Sequence, residues 1–262
     1  MDKKIRIILF AFLSVLLVIQ LAILIILLAP ERTTSEQSAF AHDGSPRRVP
    51  IFMYHTSSED SPGYYSDLYV KPSEFEKHIK YLTENGYTLC TFDDWHELNG
   101  IAKPVFITFD DGYKENYTEI FPILQKHNAK ITIFLTSDLT NKCITREMVR
   151  EMSDSGLVKF ESHTVTHAKL DEISSDGARL TEELRDSKAA IEQLTGKSVY
   201  AIAYPHGVYD ETVKSRAREF YQFGLRSFGG MHWTDLDDFE MLRFAVGRET
   251  SLNDFVGMLG SK

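Results

Sequence analysis

Apolar and polar positions along this chain follow two rhythms in turn. From Val49 onward, short β-rich runs recur: VPIFMY (49–54), PVFITF (104–109), ITIFL (131–135), LVKFES (157–162), VYAIAY (199–204), FGLRS (223–227) and RFAV (243–246). Most are apolar at nearly every position, the pattern of strands buried on both faces. Between them lie stretches with helical spacing and end signals. Phe75, Ile79 and Leu82 accompany a capping-box pair, Ser73 and Glu76, and Gly86 ends that segment. Residues 116–127, 145–155, 174–195 and 210–221 read alike; Thr195-Gly196 closes the longest, and SLNDFVGML (251–259) starts another. Such alternation predicts parallel strands joined by crossover helices, in one α/β body over residues 49–262. About seven strands fit either an irregular (β/α) barrel or an open doubly wound sheet, and periodicity does not separate the two.

The amino terminus has neither rhythm. Residues 7–29 carry no charge and only two clearly polar side chains, Ser14 and Gln20. As a helix rising about 1.5 Å per residue they would span roughly 35 Å, enough to cross a bilayer core of about 30 Å. Lys3, Lys4 and Arg6 precede the run, so the positive-inside rule leaves the amino terminus in the cytoplasm and everything after Pro30 outside. Residues 1–29 are therefore expected to be a cytoplasmic tip and transmembrane signal-anchor, and the polar residues 30–48 a flexible linker. The whole would be a single-pass cell-membrane protein with an extracellular domain. A cleaved signal peptide is the competing reading, since Ala39-Phe40-Ala41 resembles a cleavage site, but it lies well beyond the apolar run.

Charge narrows the partners. The formal net charge is −9, and the first 48 residues carry six basic side chains against four acidic, so the remainder carries −11. An acidic body argues against nucleic acid, which needs a basic face. It leaves room for a neutral or weakly cationic glycan. The two cysteines, Cys90 and Cys143, form no Cys-x-x-Cys motif and read first as lone thiols packed as small hydrophobes, with pairing as the alternative.

Three polar clusters follow predicted strands: Thr108-Phe109-Asp110-Asp111-Gly112-Tyr113, Ser162-His163-Thr164-Val165-Thr166-His167, and Tyr204-Pro205-His206-Gly207. In parallel α/β folds the active site lies at the carboxyl ends of strands, so these distant segments are expected to converge. Two histidines and a carboxylate suit a divalent metal with positions open for water and substrate. The β-branched run between His163 and His167 disfavours a helix, so a curled loop is expected. A turn at Gly112 would let one of the two aspartates bind metal while the other acts as base toward water. Singly, each cluster is more often a turn or a core feature; the combination at strand ends carries the argument.

With these residues on the page, the chain resembles the polysaccharide deacetylase family, also known as the NodB-homology group or carbohydrate esterase family 4. The matching segments are TFDDGY (108–113), SHTVTH (162–167) and AYPHG (203–207), in order across residues 49–262. The resemblance implies a distorted (β/α) barrel and a metal-dependent hydrolase that removes N-acetyl groups from a polysaccharide. It implies Asp110 as general base and Asp111, His163 and His167 as ligands of a divalent metal: Zn²⁺ first, with Co²⁺, Ni²⁺ or Fe²⁺ accepted by the same set. It also implies a groove lined by the Pro205-His206 turn, with the His206 N–H near the oxyanion.

Two features depart from the family pattern. His206 stands where many members carry Tyr, and no histidine follows His232 to form a carboxyl-terminal Leu-x-His motif. His55 after Tyr54 is then the first candidate for the general acid, ahead of His206 and His232. That placement resembles the circularly permuted branch of poly-N-acetylglucosamine deacetylases, as does LRFAVGRETSL (242–252). Arg243 in that segment is either the arginine that pairs with the base or a plain surface residue. Among aromatics that could stack on sugar rings, Tyr64, Tyr65, Tyr113 and Trp233, the first choice is Trp233. The expected substrate is a cell-surface N-acetylglucosamine polymer, poly-N-acetylglucosamine or peptidoglycan. An O-acetyl esterase on a xylan-like glycan and a catalytically silent glycan-binding domain are the alternatives.

Overall fold

In the computed structural model, which describes residues 45–60, 66–140 and 142–260, the apolar runs form one curled parallel sheet. In chain order come β1 (Arg48–Val49), β2 (Ile51–Tyr54), β3 (Thr56–Ser57), β4 (Tyr69–Val70), helix α1 (Pro72–Glu84), β5 (Thr88–Cys90) and β6 (Pro104–Asp111). Next are α2 (Phe121–His127), β7 (Ile131–Leu135), α3 (Arg146–Asp154), β8 (Val158–Ser162), α4 (Gly177–Thr195) and β9 (Ala201–Ala203). The chain finishes with α5 (Glu211–Ala217), β10 (Phe223–Leu225), β11 (His232–Trp233), β12 (Phe244–Ala245) and α6 (Leu252–Gly260).

The sheet has eight strands in the order β10-β9-β8-β7-β6-β2-β12, with β5 beside the start of β6. All its ladders are parallel. Its two edges meet through one segment. The Met241 N–H donates to the Gly224 carbonyl and the Arg226 N–H to the Met241 carbonyl, both at 2.9 Å, while Phe244 and Ala245 run beside Phe52 and Met53. The sheet therefore curls into a distorted barrel, and the open doubly wound alternative is set aside.

Several boundaries differ from the sequence expectation for local reasons. Pro50 has no N–H to give a ladder, so the 49–54 run splits, and β1 pairs antiparallel with β11. β5 was not expected: it is three residues long and largely unburied, too short for a period to register. The Ser73–Glu76 capping box does not form. Pro72 opens α1 behind Lys71, and the Ser73 N–H donates to Glu59 Oε1 at 2.9 Å. By contrast, Gly196 ends α4 at φ 69, as a glycine cap should.

Strand side chains alternate between two apolar layers. Phe52, Ile107, Ile133 and Phe160 face outward under the helices, against Phe75 and Leu180 among others. Ile51, Phe106, Phe134 and Phe223 face inward. A 3₁₀ stretch, Phe92–Gly100, adds Phe92, Trp95 and Leu98 to that inner layer. Each such buried side chain contributes roughly 1.5–3 kcal/mol. Cys90 packs in this layer and Cys143 is half-buried; both are free thiols, as the bland reading expected. Among the described residues no helix is long and apolar enough to cross a membrane. Residues 7–29, the cleavage-site alternative, and Tyr64 and Tyr65 lie outside the described residues.

Candidate active site

The period of two along β6 decides how the neighbouring aspartates divide. Phe106, Thr108 and Asp110 share the inward face, while Val105, Ile107 and Phe109 face the helices. Asp111 would follow them outward, but its φ is 72 and that of Gly112 is 76, so the chain turns over the strand end. Gly112 is required twice over: by its positive φ, and because a Cβ there would stand 2.4 Å from Leu135 Cδ1.

Asp110 is buried and holds a buried partner. Arg243, with no exposed surface, donates from both terminal nitrogens to the two Asp110 oxygens at 2.8 Å, a bidentate pair. It also donates to Thr108 Oγ1 at 3.2 Å and to the Arg226 carbonyl at 2.6 Å. Its guanidinium carbon lies 5.6 Å from the Phe134 ring centroid, so the charge rests on the inner aromatic layer. Burial by itself would raise the Asp110 pKa. Arg243, followed by His163 and His55, outweighs burial and holds the carboxyl below the usual range. The surface reading of Arg243 is thereby overturned: the segment that closes the barrel carries it inward.

Asp111 meets both histidines. His163 Nε2 and His167 Nε2 each lie 3.3 Å from Asp111 Oδ1. His163 Nδ1 is 2.8 Å from the Ala203 carbonyl, which can only accept, so Nδ1 carries a proton and Nε2 is the nitrogen turned toward Asp111. Asp111 Oδ1 is buried and without a hydrogen-bond partner. Burial would raise the Asp111 pKa; the two imidazoles beside it outweigh burial and lower it. Burial would likewise lower the His163 pKa, but Asp111 and Asp110 raise it.

This set fits a divalent cation. One carboxylate oxygen and two imidazole Nε2 atoms converge, with these possible ligand atoms within 4.8 Å of one another. The 3.3 Å spacing to Asp111 is the edge expected for donors about 2.0–2.1 Å from a tetrahedral centre. A buried carboxylate oxygen without a hydrogen-bond partner, close to two imidazole nitrogens, is an arrangement that a cation would satisfy.

His55 follows β2 at the same mouth, its backbone carbonyl accepting from Asn116 Nδ2 at 3.0 Å. Burial lowers its pKa, while Asp110 and Asp111 act in the opposite direction. His206 adopts φ 59 in the turn after β9, and its ring stands edge-on to His167 with centroids 4.5 Å apart. Tyr113 is half-buried; desolvation raises its pKa, and the Asp111 carboxylate adds to the rise.

One open cavity of about 890 Å³ is lined by His55, Asp110, Asp111, Tyr113, His163, His167 and His206. Arg243 lies beneath, out of contact with solvent. Three expectations fail. Trp233 is not in the groove. It pairs with Arg48 at the start of the barrel, on the far side from β2's carboxyl end, and the Arg48 guanidinium carbon lies 5.9 Å from its ring centroid. His232, the last-ranked candidate for the general acid, is a buried β11 residue next to Trp95 and does not line the cavity. Pro205 is buried behind the turn that presents His206 and does not line the cavity.

Phe228 was missed. It lines the cavity with 65% of its surface exposed, on the loop after β10. The signal was available: a lone aromatic ahead of Gly229-Gly230, just past a strand end. That loop is pinned, because a Cβ on Gly229 would stand 2.5 Å from Leu242 Cδ2, and one on Gly207 would stand 2.5 Å from Ser227 Oγ.

Comparison with known proteins agrees with this geometry. A family model described as polysaccharide deacetylase matches residues 98–223. The chain is 33% identical over 224 residues to YxkH of Bacillus subtilis, whose name assigns it provisionally to the polysaccharide deacetylases; the match covers 82% of this chain and 77% of that one. It is 27% identical over 198 residues to a poly-beta-1,6-N-acetyl-D-glucosamine N-deacetylase of Staphylococcus epidermidis, covering 69% of this chain and 68% of the relative. The crystal structure of a Bacillus cereus polysaccharide deacetylase superposes with a TM-score of 0.76 at 34% identity, covering 82% of this chain and 69% of that one.

Proposed function

Because this chain belongs to the polysaccharide deacetylase family, whose members are hydrolases acting on amide bonds, we propose that it removes N-acetyl groups from a β-linked N-acetylglucosamine polymer outside the cell. The observation that carries this reading is the buried Asp110–Arg243 pair standing directly beside the Asp111, His163, His167 cluster. A base held ionised and a metal-ligand set then share one cavity.

Asp111, His163 and His167 hold the divalent ion, Zn²⁺ in our reading. When bound, that ion supplies Lewis-acid polarisation of the acetyl oxygen and eases ionisation of water. Arg243 keeps Asp110 unprotonated and aimed, so Asp110 accepts the proton of the attacking water. The backbone N–H of His206 donates to the oxygen on which negative charge develops. His55 donates the proton that the departing amine needs, as an amino-terminal histidine does in the permuted poly-N-acetylglucosamine deacetylase branch that this chain resembles. Acetate and a free amine on the sugar result. Tyr113 and Phe228, both lining the cavity, offer rings on which a pyranose can stack.

The similarity to a poly-β-1,6-N-acetylglucosamine deacetylase supports that polymer as first choice, with peptidoglycan second. The apolar run at 7–29 supports an uncleaved anchor outside the catalytic domain. The linker expected over 30–48 is shorter than that, because Arg47 and Arg48 already belong to the barrel, Arg47 exchanging hydrogen bonds with Thr234 and Arg48 pairing with Trp233.

The test is acetate release by the full-length protein from poly-N-acetylglucosamine, peptidoglycan, chitin oligomers and acetylated xylan, with and without chelator. We expect release from one of the N-acetylated polymers, abolished by chelation. Release from acetylated xylan alone would convert the reading to an esterase, and release from none would leave a silent binding domain. Asp110→Asn should retain metal while turnover falls by about 10² or more. Loss of metal in that variant would move Asp110 into the ligand set.

A further inference from the structure

The two histidines of the metal cluster are held by different means. His163 directly follows β8, and its Nδ1–H is tied to the Ala203 carbonyl at 2.8 Å. Strand and hydrogen bond fix that ring on their own. His167 comes four residues later, and its placement depends on the loop between.

That loop is strained. Thr164 has φ 67 and His167 φ 60, left-handed backbone at two non-glycine residues, one of them β-branched. Such a conformation persists only when its surroundings over-determine it. Here all four backbone N–H groups from Thr164 to His167 are accepted by side-chain oxygens. The Thr164 N–H donates to Ser162 Oγ at 3.2 Å and the His167 N–H to Thr164 Oγ1 at 3.1 Å. The two in the middle, Val165 and Thr166, both donate to Glu183 Oε2 at 2.9 Å, and the Thr166 hydroxyl donates to Glu183 Oε1 at 2.5 Å. Consecutive N–H groups converging on one carboxylate form a small anion nest, and here the anion comes from the fold itself.

Glu183 is a buried residue in the middle of α4. The hydroxyls of Ser187 on α4 and of Tyr221 each lie 2.8 Å from Ser162 Oγ, which in turn accepts from the loop. The loop carbonyls of Thr164 and Val165 accept from the Ser137 and Asp138 N–H groups after β7. One side of the loop is thus held by backbone N–H groups of the segment after β7 and the other by α4, where Glu183 supplies the accepting carboxylate.

Resting on the proposed metal reading, we infer that Glu183 is a positioning residue for the metal site: through the 164–167 loop it sets where the His167 imidazole stands. It touches neither metal nor substrate. A purely structural carboxylate would affect folding stability alone; a positioning one also sets metal affinity.

The experiment is metal binding by the full-length protein and its Glu183→Gln variant. Gln keeps the shape but presents an NH₂ group where an acceptor faces donors. Zn²⁺ affinity is read by competition with a chromophoric chelator, and the Co²⁺ absorption spectrum reads ligand geometry. We expect Glu183→Gln to bind Zn²⁺ about 10- to 100-fold more weakly, the usual effect of removing a group that orients a ligand. Its Co²⁺ spectrum should change, and turnover should recover when Zn²⁺ is raised to saturation. Equal affinity and an unchanged spectrum in a folded Glu183→Gln protein overturn the inference. If that variant does not fold, Thr166→Val, which removes only the hydroxyl contact, decides: weaker Zn²⁺ binding supports the inference, and wild-type binding overturns it. A wild-type protein that binds no divalent ion sinks the metal reading itself, and this inference with it.

Discussion

The two ends of the barrel carry the same residue types and use them in opposite ways. At the carboxyl-end mouth, His55, His163 and His167 stand around Asp110 and Asp111 in an open cavity. At the amino end, His232 is wholly buried, its ring 5.8 Å from that of Trp95, with neither ring nitrogen hydrogen-bonded. Burial pushes its pKa down to about 4. Trp233 beside it bears on Arg48. Strand direction accounts for the contrast. Loops leaving the carboxyl ends diverge from the sheet and can turn polar groups back over the barrel. The amino ends are sealed by Phe92, Trp95 and the β1–β11 pair. A histidine's chemistry here depends less on its neighbours in sequence than on the end of the barrel it reaches.

His55→Ala should have the largest effect on that contrast. We expect amide hydrolysis to fall by about 10²- to 10⁴-fold, and hydrolysis of an activated aryl acetate, whose leaving group needs little protonation, to fall far less. Burial lowers the His55 pKa, so the wild-type high-pH limb should lie below that of an exposed histidine and vanish in the variant. Equal slowing of both substrates with the limb intact would remove His55 from the role and make His206 the next residue to test.

Arg243→Leu attacks the floor of the same mouth. Stranding a buried carboxylate should cost about 3–5 kcal/mol in chemical unfolding near neutral pH. The sign with pH follows from Asp110, whose carboxyl is held low. Its contribution to stability is fully present above the ordinary carboxylate pKa of about 3.9 and is lost as pH falls through the lower folded value. Without Arg243, burial dominates, so the low-pH limb of activity should move to higher pH. An unmoved limb would mean that Arg243 does not set the ionisation of Asp110.

The smallest effect separates the two ends by their aromatics. Phe228→Ala should raise KM for the polymer by about three- to tenfold and leave kcat nearly unchanged, the loss of one stacking contact. Trp233→Ala should lower the melting temperature and leave KM alone. A KM effect at Trp233, or none at Phe228, would reverse the assignment of the groove.

Much of the site was legible beforehand because it is written in short segments. TFDDGY, SHTVTH and AYPHG each sit at a strand end, and strand ends follow from apolar runs such as PVFITF and ITIFL. The strand–helix alternation likewise announced parallel strands, since crossover helices leave little else to build.

What stayed hidden was set by contacts between segments far apart in the chain. Strand β5 is too short for a period, Pro50 detaches β1 from β2, and Trp233 looked like a groove residue until β11 paired with β1. Phe228 carried only the weak signal of a lone aromatic ahead of two glycines, and Glu183 carried none. One is defined by its exposure beside a cavity, the other by three hydrogen bonds to a loop 17 and 18 residues away. Arg243 shows the division most clearly. The resemblance of its segment offered it as a partner for a base, with a plain surface arginine equally open, and only closure of the barrel through Met241–Ala245 brings it to Asp110, 133 residues earlier in the chain. Local sequence determines which strands and turns form, because propensity and period act over a few residues. Which side chains then meet is decided by sheet order and curl, which depend on all the strands together.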